Sequence, residues 1–443
     1  MQHSVVLSRI RTLAACGLCL IAAEGVFAQP DAKLPVPKEA PFPAPAAAPA
    51  KEGAFASQSE VFTRYTLGEA LAIGHAKHPQ IIALRASMNA ALMKGRGLSE
   101  VKRTIGFLSP DIEFREKQSD LGLKAAMAEY DQAQYEVTYA IIRCYFTVVY
   151  AREQSLVARD LVEQLEGNLE QVRKIVEGKG GGVRGISVNT VNTLEVFIGA
   201  ARKRLNEAES GISRARAALR EAMGLEPGSR VDAADEVLPD IRASMTRDVV
   251  IAHALTRRGE IFLSQIGADV TRLEVCAQWA RSFSLMATTF SNAADIHARP
   301  IPGPSREPDY RPGMIGPEMP DRLLGRRATR VETAGQYAIR SQAAAEQARS
   351  LLGLEAEVAY SRWVQAVENV RVARAAAKSG RALIERLREA AGGAPSKEET
   401  VTAEVGSAQA IASLNEALHD QIVALADLER ITAGGVRVNF PGR

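Results

Sequence analysis

From Ala140 to Gly224 the chain repeats apolar residues in alternating steps of three and four. Ile141, Cys144, Val148, Ala151, Ser155, Ala158, Val162, Leu165, Leu169, Val172 and Val176 form one run, with Ser155 its polar member. Leu194, Ile198, Ala201, Leu205, Ala208, Ile212, Ala215, Leu219 and Ala222 form a second. A seam held over four or more heptads keeps facing one partner, which is what a coiled coil requires. Alanine recurs at one seam position of the second run and a large aliphatic at the other, so two backbones can approach closely. At 1.5 Å per residue each helix runs roughly 50 to 60 Å, longer than a compact domain needs. Between the runs lies Gly178-Lys179-Gly180-Gly181-Gly182-Val183-Arg184-Gly185, which cannot continue a helix. The expectation is a long antiparallel helical hairpin with a yielding tip.

The pattern occurs twice. Thr66-Leu67-Gly68-Glu69 is a capping box that opens a short amphipathic run, Ala70 to Ala76. His78-Pro79 interrupts it, because proline disfavours helix in the residue before it. A further helix follows from about Gln80 to Lys102. A shift of 180 places Thr66 on Thr246, Leu71 on Ile251, Ala72 on Ala252 and Ile81 on Ile261, with Gly259 standing where Pro79 stood. A shift of 215 carries Tyr145, Ala151, Val157, Ala158, Arg159 and Arg173 onto Tyr360, Ala366, Val372, Ala373, Arg374 and Arg388. Beyond the tip the shift is 209, and Ser187, Glu195, Val196, Ala201, Leu205, Ala208 and Leu219 land on Ser396, Glu404, Val405, Ala410, Leu414, Ala417 and Leu428. Alanine-rich helices match by chance, but three registers in chain order do not. The changes of register put 35 extra residues between the short helix pair and the long hairpin of the second copy, and six fewer at its tip. There Gly392-Gly393-Ala394-Pro395-Ser396 precedes a second capping box, Ser396-Lys397-Glu398-Glu399, which starts the last long helix.

Residues 1–28 read as a secretory signal: Arg9 and Arg11, an apolar core from Leu13 to Ala23, and a small-residue cleavage pattern, Val26-Phe27-Ala28. Leu13-Ala14-Ala15-Cys16 resembles a lipoprotein box but sits too close to Arg11 for an apolar stretch to precede it. Residues 29–59 form a Pro/Ala-rich linker, extended and solvated. The exported remainder holds no apolar stretch long enough to span a membrane as a helix. Aromatics at 5% suit extended helices better than a thick core. A net charge of +3 on 443 residues gives no support to a nucleic-acid or anionic-membrane partner. Of the cysteines, Cys144 and Cys276 outlast the signal; Cys144 holds a seam position and reads as a buried thiol, and a disulfide between the two is permitted but not required.

No chemistry-bearing constellation emerges. His75 and His78 lie three apart beside the helix-ending Pro79 and read as surface residues. The glycine tip follows a helix and lacks the Lys-Ser/Thr of a phosphate loop, so it reads as a hairpin turn. His419-Asp420 has no nucleophile elbow near it, and runs such as Arg202-Lys203-Arg204 and Glu385 to Glu389 read as solvated faces. The chain is expected to be no enzyme and to carry no cofactor or metal.

The opening Tyr65-Thr66-Leu67-Gly68-Glu69-Ala70-Leu71, the following His78-Pro79-Gln80-Ile81, the close Ala217 to Gly228 and the twofold repetition give a chain that resembles the outer-membrane efflux protein family, the TolC-like exit ducts. The likeness covers Thr63 to Gly435. It implies three protomers whose helices close into a periplasmic tunnel, strands inserted between the second and third helix of each half that share a membrane β-barrel, and hairpin tips that meet an adaptor attached to an inner-membrane pump. The tip positions that match are Gly178, Gly185, Ile186, Ser187, Gly392, Gly393 and Ser396. The sequence departs from the family between Arg103 and Leu121, which leaves too little room for two membrane strands; Phe107 to Glu116 shows a fragment of alternation. In the second copy Phe283 to Phe290 could form one strand, but the return carries Pro300, Pro302, Pro304, Pro308, Pro312, Pro317 and Pro320, which cannot donate to a ladder.

The expected fold is therefore mainly all-α: tandem-repeated antiparallel helical hairpins in an elongated coiled-coil bundle, with a degenerate β-hairpin insertion in the second repeat. Residues 60–241 form the first repeat, 242–435 the second and 436–443 a C-terminal tail. The expected function is a homotrimeric, passive efflux or secretion duct for small molecules or peptides, at the outer membrane or in the periplasm, working with an adaptor and a pump and with no nucleic acid. The alternative is a periplasmic coiled-coil scaffold derived from such a duct and lacking a membrane pore.

Overall fold

The elements run β1 (Thr63–Tyr65), α1 (Leu67–Lys77), α2 (Pro79–Ile105), α3 (Ile112–Glu177), α4 (Val188–Ala222), β2 (Val231–Ala233), α5 (Arg247–Arg257), α6 (Gly259–Ala280), α7 (Arg327–Glu389) and α8 (Lys397–Ile431). The structure is a computed structural model and describes residues 62–105, 109–177, 188–281, 323–389 and 397–443. The signal, the linker, the strand at 283–290 and both hairpin tips lie outside these residues.

The three sequence registers fall on helix boundaries. α1 shifted by 180 is α5 at both ends, and the starts of α2 and α6 differ by the same number. The starts of α3 and α7 differ by 215, and α4 shifted by 209 is α8 at both ends. The break between the first two helices is kept by different physics in each copy. In the first, Pro79 forces His78 into an extended conformation (φ −62°, ψ 126°). In the second, Arg258 takes the same shape (φ −70°, ψ 134°). Its guanidinium is buried between Glu260 (2.7 Å) and Glu355 (2.5 Å). A side chain at Gly259 would meet the Ala128 carbonyl at 2.6 Å, so only glycine lets α3 pass so close.

The hairpin expectation holds and the length estimate falls short. Every seam residue of α3 and α4 is buried or half-buried except Val176, at the tip, which is 40% exposed. α3, however, runs back to Ile112 and spans 66 residues, about 99 Å. The alternation read at Phe107 to Glu116 is thus corrected from Ile112 onward: those residues are the first turn of a helix. Ile112 and Phe114, two apart, fit either period over so short a stretch. The Asp111 carbonyl accepts from the Phe114 and Arg115 amides, and its carboxylate holds the Arg115 guanidinium at 3.1 Å, which decides for the helix.

Helices α3 and α7 run the length of the rod without packing directly on each other. Toward the tips the packing order is α4, α3, α8, α7; at the other end it is α2, α3, α6, α7. The middle carries a collar made of α1, α5, the parallel pair β1–β2 and the last residues of the chain. Tyr145 and Phe146 meet edge to face there at 5.3 Å, and Phe440 packs on Phe146 at 6.0 Å. Residues 436–443 are therefore no free tail: Val438 and Phe440 are buried. The sequence shows no sign of β1, β2 or this clamp. Gly224 ends α4 at φ +65°, and a Cβ there would lie 2.7 Å from the His78 Cα. Gly224→Ala is expected to cost at least about 2 kcal/mol, from left-handed backbone strain plus that clash; the midpoint of urea unfolding measures it.

Candidate functional site

The tip residues Gly178, Gly185, Ile186, Ser187, Gly392, Gly393 and Ser396 lie outside the described residues. The helices leading into both tips are described, and the tip-side ends of α3, α4 and α8 pack together. Val401, four residues into α8, packs in the apolar cluster of Leu165, Val172 and Leu194 from α3 and α4. Asn168 donates to Glu404 at 2.7 Å across the same junction.

The four-helix layer has two faces and two edges. A groove of about 510 Å³ opens between α4 and α8 over α3, with Gln154, Arg204, Glu207, Arg214, Gln409 and Glu416 on its walls. One of about 260 Å³, lined by Arg362, Asn369, Asp420 and Asp427, lies between α7 and α8. Another of about 260 Å³ is bounded by Asp160, Arg381, Glu385, Glu404 and Ile411. On α8 the residues of the first and last grooves stand roughly opposite each other around the helix axis. Arg374, seven residues before Arg381 on the same flank of α7, pairs at 2.8 Å with Asp240 of the segment after β2. The collar therefore shares a face with the last groove, and the groove of about 510 Å³ opens on the collar-free face.

Both edges carry unpartnered side chains. α4 packs on α3 and β2 and turns Val196 outward, 69% exposed. α2 packs on α3 and leaves Ile82, Met93 and Val101 exposed. At the far edge α7 presents Ile339 (65% exposed), Ala343, Ser350, Ser361, Val364, Ala375 and Ser379 on one outward stripe. Small residues between occasional aliphatics are what a second helix can approach.

Opposite the tips the ends of α2, α3, α6 and α7 converge on a buried polar network. Arg115 forks onto both oxygens of Glu274, one at 3.0 Å, and Gln118 donates to Glu274 at 3.0 Å. Asp111 also binds Arg281 at 3.2 Å, and Arg330 donates to Gln278 and to the Arg281 carbonyl. Burial alone would push the Glu274 carboxyl up, but the Arg115 guanidinium and the two glutamine amides outweigh it and hold it below the usual carboxylate range. The network ties a very short link, since only residues 106–111 separate α2 from α3. Sequence reading missed it because the partners lie far apart in the chain; the available signal was a charged residue, Arg115 or Glu274, breaking an apolar helical face.

The histidine reading needs one correction. His75 is half-buried and its Nε2 lies 2.9 Å from Thr138 Oγ1; burial, aided by the Arg443 charge, pushes its pKa down. The surface reading failed because α1 packs on α3 with that flank inward. His78 caps the break, accepting from the Gln80 amide at 3.3 Å. Cys144 is half-buried, its thiol pushed up by burial, and Cys276 is exposed; both are free. Among the described residues no group of three or more His, Cys, Asp or Glu is placed to hold a metal, and no helix is long and apolar enough to cross a membrane.

No family model matches the sequence, and no curated protein matches it. Solved structures do. The open state of the Neisseria gonorrhoeae MtrE outer membrane channel superposes with a TM-score of 0.64 at 13% identity, over 85% of this chain and 91% of that one. The Campylobacter jejuni CmeC outer membrane channel gives 0.64 at 12%, over 83% and 86%. The outer membrane protein VceC from Vibrio cholerae gives 0.62 at 13%, over 84% and 97%. The chain has the fold of these channels.

Proposed function

We propose that this protein is one subunit of an export duct: three copies stand side by side, and cargo passes along the inside of the closed helical wall. The observation that carries the reading is the pair of unlike open edges, α2 and α4 on one side and α7 on the other. Two different edges meet head to tail, and such contacts form rings when the rotation closes. With the bulky collar outside, the collar-free face lines the lumen, and its mixture of Arg, Glu, Gln and Ser suits hydrated small molecules or peptides without a preferred charge. The duct is passive. Energy comes from an inner-membrane pump reached through a periplasmic adaptor that meets the tips around Gly178, Gly185, Ile186, Ser187, Gly392, Gly393 and Ser396.

The test is the mass of the chemically crosslinked protein in cell fractions. Trimers in the outer-membrane fraction support the duct; freely soluble monomers or dimers in the periplasmic extract sink it. Ile339→Glu is expected to weaken trimer formation at least about tenfold, because it places a carboxylate in an apolar contact, while far-UV circular dichroism stays unchanged. A light-scattering titration reads this directly.

The periplasmic scaffold reading keeps one specific support, the six-residue link between α2 and α3. Membrane strands need about nine to eleven residues each, so the first copy offers none at that point. Three copies would then supply strands from residues 282–322 alone. Two strands per copy would make six, fewer than the eight of the smallest membrane barrels.

A further inference from the structure

We propose that His75 is a proton-operated latch on the collar: the neutral imidazole keeps residues 441–443 closed over α1, and the imidazolium drives them off. The geometry starts from spacing. Gly68 and His75 stand seven residues apart on α1, so they share one flank of the helix about two turns apart. Against Gly68 lies the C-terminal segment. The Gly68 amide donates to the Gly442 carbonyl at 2.6 Å, and a side chain at Gly68 would meet that oxygen at 2.9 Å and the Arg443 backbone at 3.5 Å. From there Arg443 forks onto Glu429 of α8, at 2.7 Å to each oxygen, and its charge bears on the His75 ring.

α1 is seated without slack. The His75 Nε2 lies 2.9 Å from Thr138 Oγ1 of α3. One residue earlier, a side chain at Gly74 would run into Ile141 and come within 3.5 Å of the Ala222 carbonyl. The helix therefore has no room to roll and carry the imidazole out to water.

The charge that reaches the ring has the wrong sign for an imidazolium. α1 packs on α3, α2 and β1. Thr138 faces the ring from α3 and is uncharged, Arg85 of α2 is turned to Tyr130, and Arg64 of β1 is paired with Glu236. On α1 itself Lys77 follows two residues on, and His78 caps the break. Arg443 supplies the field at His75, and Glu429 is already taken up by Arg443. Burial first, and that guanidinium second, push the imidazole below its ordinary value of 6.5. An opened collar thus binds the proton more readily than a closed one. Closure is complete above about pH 6.5 and weakens as the pH falls from there toward the folded value. What gives way is the least secured part: residues 441–443 are exposed and hold to α1 and α8 by one backbone hydrogen bond and the Glu429 fork, whereas Phe440 is buried. The inference does not rest on the duct reading, since a scaffold would carry the same latch.

Hydrogen–deuterium exchange of the chain from residue 29 onward, compared at pH 7.5 and 5.5 after correction for the intrinsic exchange rate, reads the opening of α1. Protection of residues 67–77 is expected to fall about threefold to tenfold at pH 5.5. Tenfold is the ceiling, because a histidine of pKa about 6.5 in the open state gains no more than that one unit below it. The cluster of Leu165, Val172 and Leu194 near the tips should keep its protection. In His75→Gln the response of α1 should shrink to less than about twofold, and in Arg443→Gln it should diminish while α1 is looser at both pH values. Far-UV circular dichroism checks that His75→Gln folds; should it misfold, Arg443→Gln decides. The proposal falls if α1 is equally protected at both pH values, or if either folded variant keeps the full response. It falls equally if protection drops far more than tenfold or is lost uniformly along the rod, either of which would assign the effect to other groups. The trimer measurement is separate from all of these outcomes.

Discussion

Arg115→Met is expected to destabilise the protein by about 3–5 kcal/mol, the cost of removing one partner from a buried ion pair. Asp111 and Glu274 are 2% and 1% exposed. Without Arg115, Glu274 keeps only the Gln118 and Gln278 amides, so its carboxylate stays buried with no cation in contact with it. The double variant Arg115→Met with Glu274→Met should recover most of the loss, because a hydrophobic pair of similar volume replaces the ions and the Asp111–Arg281 pair survives. The pH dependence separates this explanation from simple packing damage. In the unsubstituted protein the Glu274 carboxyl is held below its ordinary value of 4.5. Its contribution is therefore complete above about 4.5 and is lost as the pH falls through the folded value. In Arg115→Met burial dominates and the folded value rises above the unfolded one. The folded state then binds the extra proton, and stability should increase as the pH is lowered from 7 to 5. Urea unfolding followed at 222 nm at both pH values reads the sign. A variant whose stability stays flat or falls between those two pH values would contradict the assignment.

The sequence reveals some of this architecture and conceals the rest for identifiable reasons. Leu165, Leu219 and their seam neighbours are legible because helix packing is local and periodic, and one side chain every three or four residues reports the face. The two copies are legible because their offsets stay constant across entire helices, and even the exchange of Pro79 for Gly259 keeps its place. What escapes is non-local. Arg115 and Glu274 are 159 residues apart, and neither looks unusual where it stands. The pairing of Thr63–Tyr65 with Val231–Ala233 occupies three residues a side, too few to show a period. The proposed tip contacts rest on family resemblance and on the converging helices that lead to them, and adaptor capture by tip variants is the measurement they call for.

Deleting residues 437–443 is expected to cost more than any single substitution considered above, at least about 5 kcal/mol, which is comparable with the whole stability of many domains. Two separate interactions are lost together. Phe440 is 4% exposed and packs on Phe146; Phe440→Ala alone should cost about 3–5 kcal/mol through lost burial and the cavity left behind. Arg443 forks onto both oxygens of Glu429, each at 2.7 Å. Because Arg443 is about one-fifth exposed, Arg443→Ala should cost less, about 2 kcal/mol, most of it from leaving the buried Glu429 without its cation. The two sit on one short segment, so their costs are not expected to add fully. A third contact shows where the damage would spread: the Gly68 amide donates to the Gly442 carbonyl at 2.6 Å, which ties the end of the chain to the first turn of α1. Truncation should therefore open the collar first, with early hydrogen exchange in α1 and β1. The cluster of Leu165, Val172 and Leu194 near the tips is separate from the collar core and should stay protected. Uniform loss of protection along the whole rod would show instead that collar and tips unfold as one unit, and that the last residues stabilise the coiled coil itself.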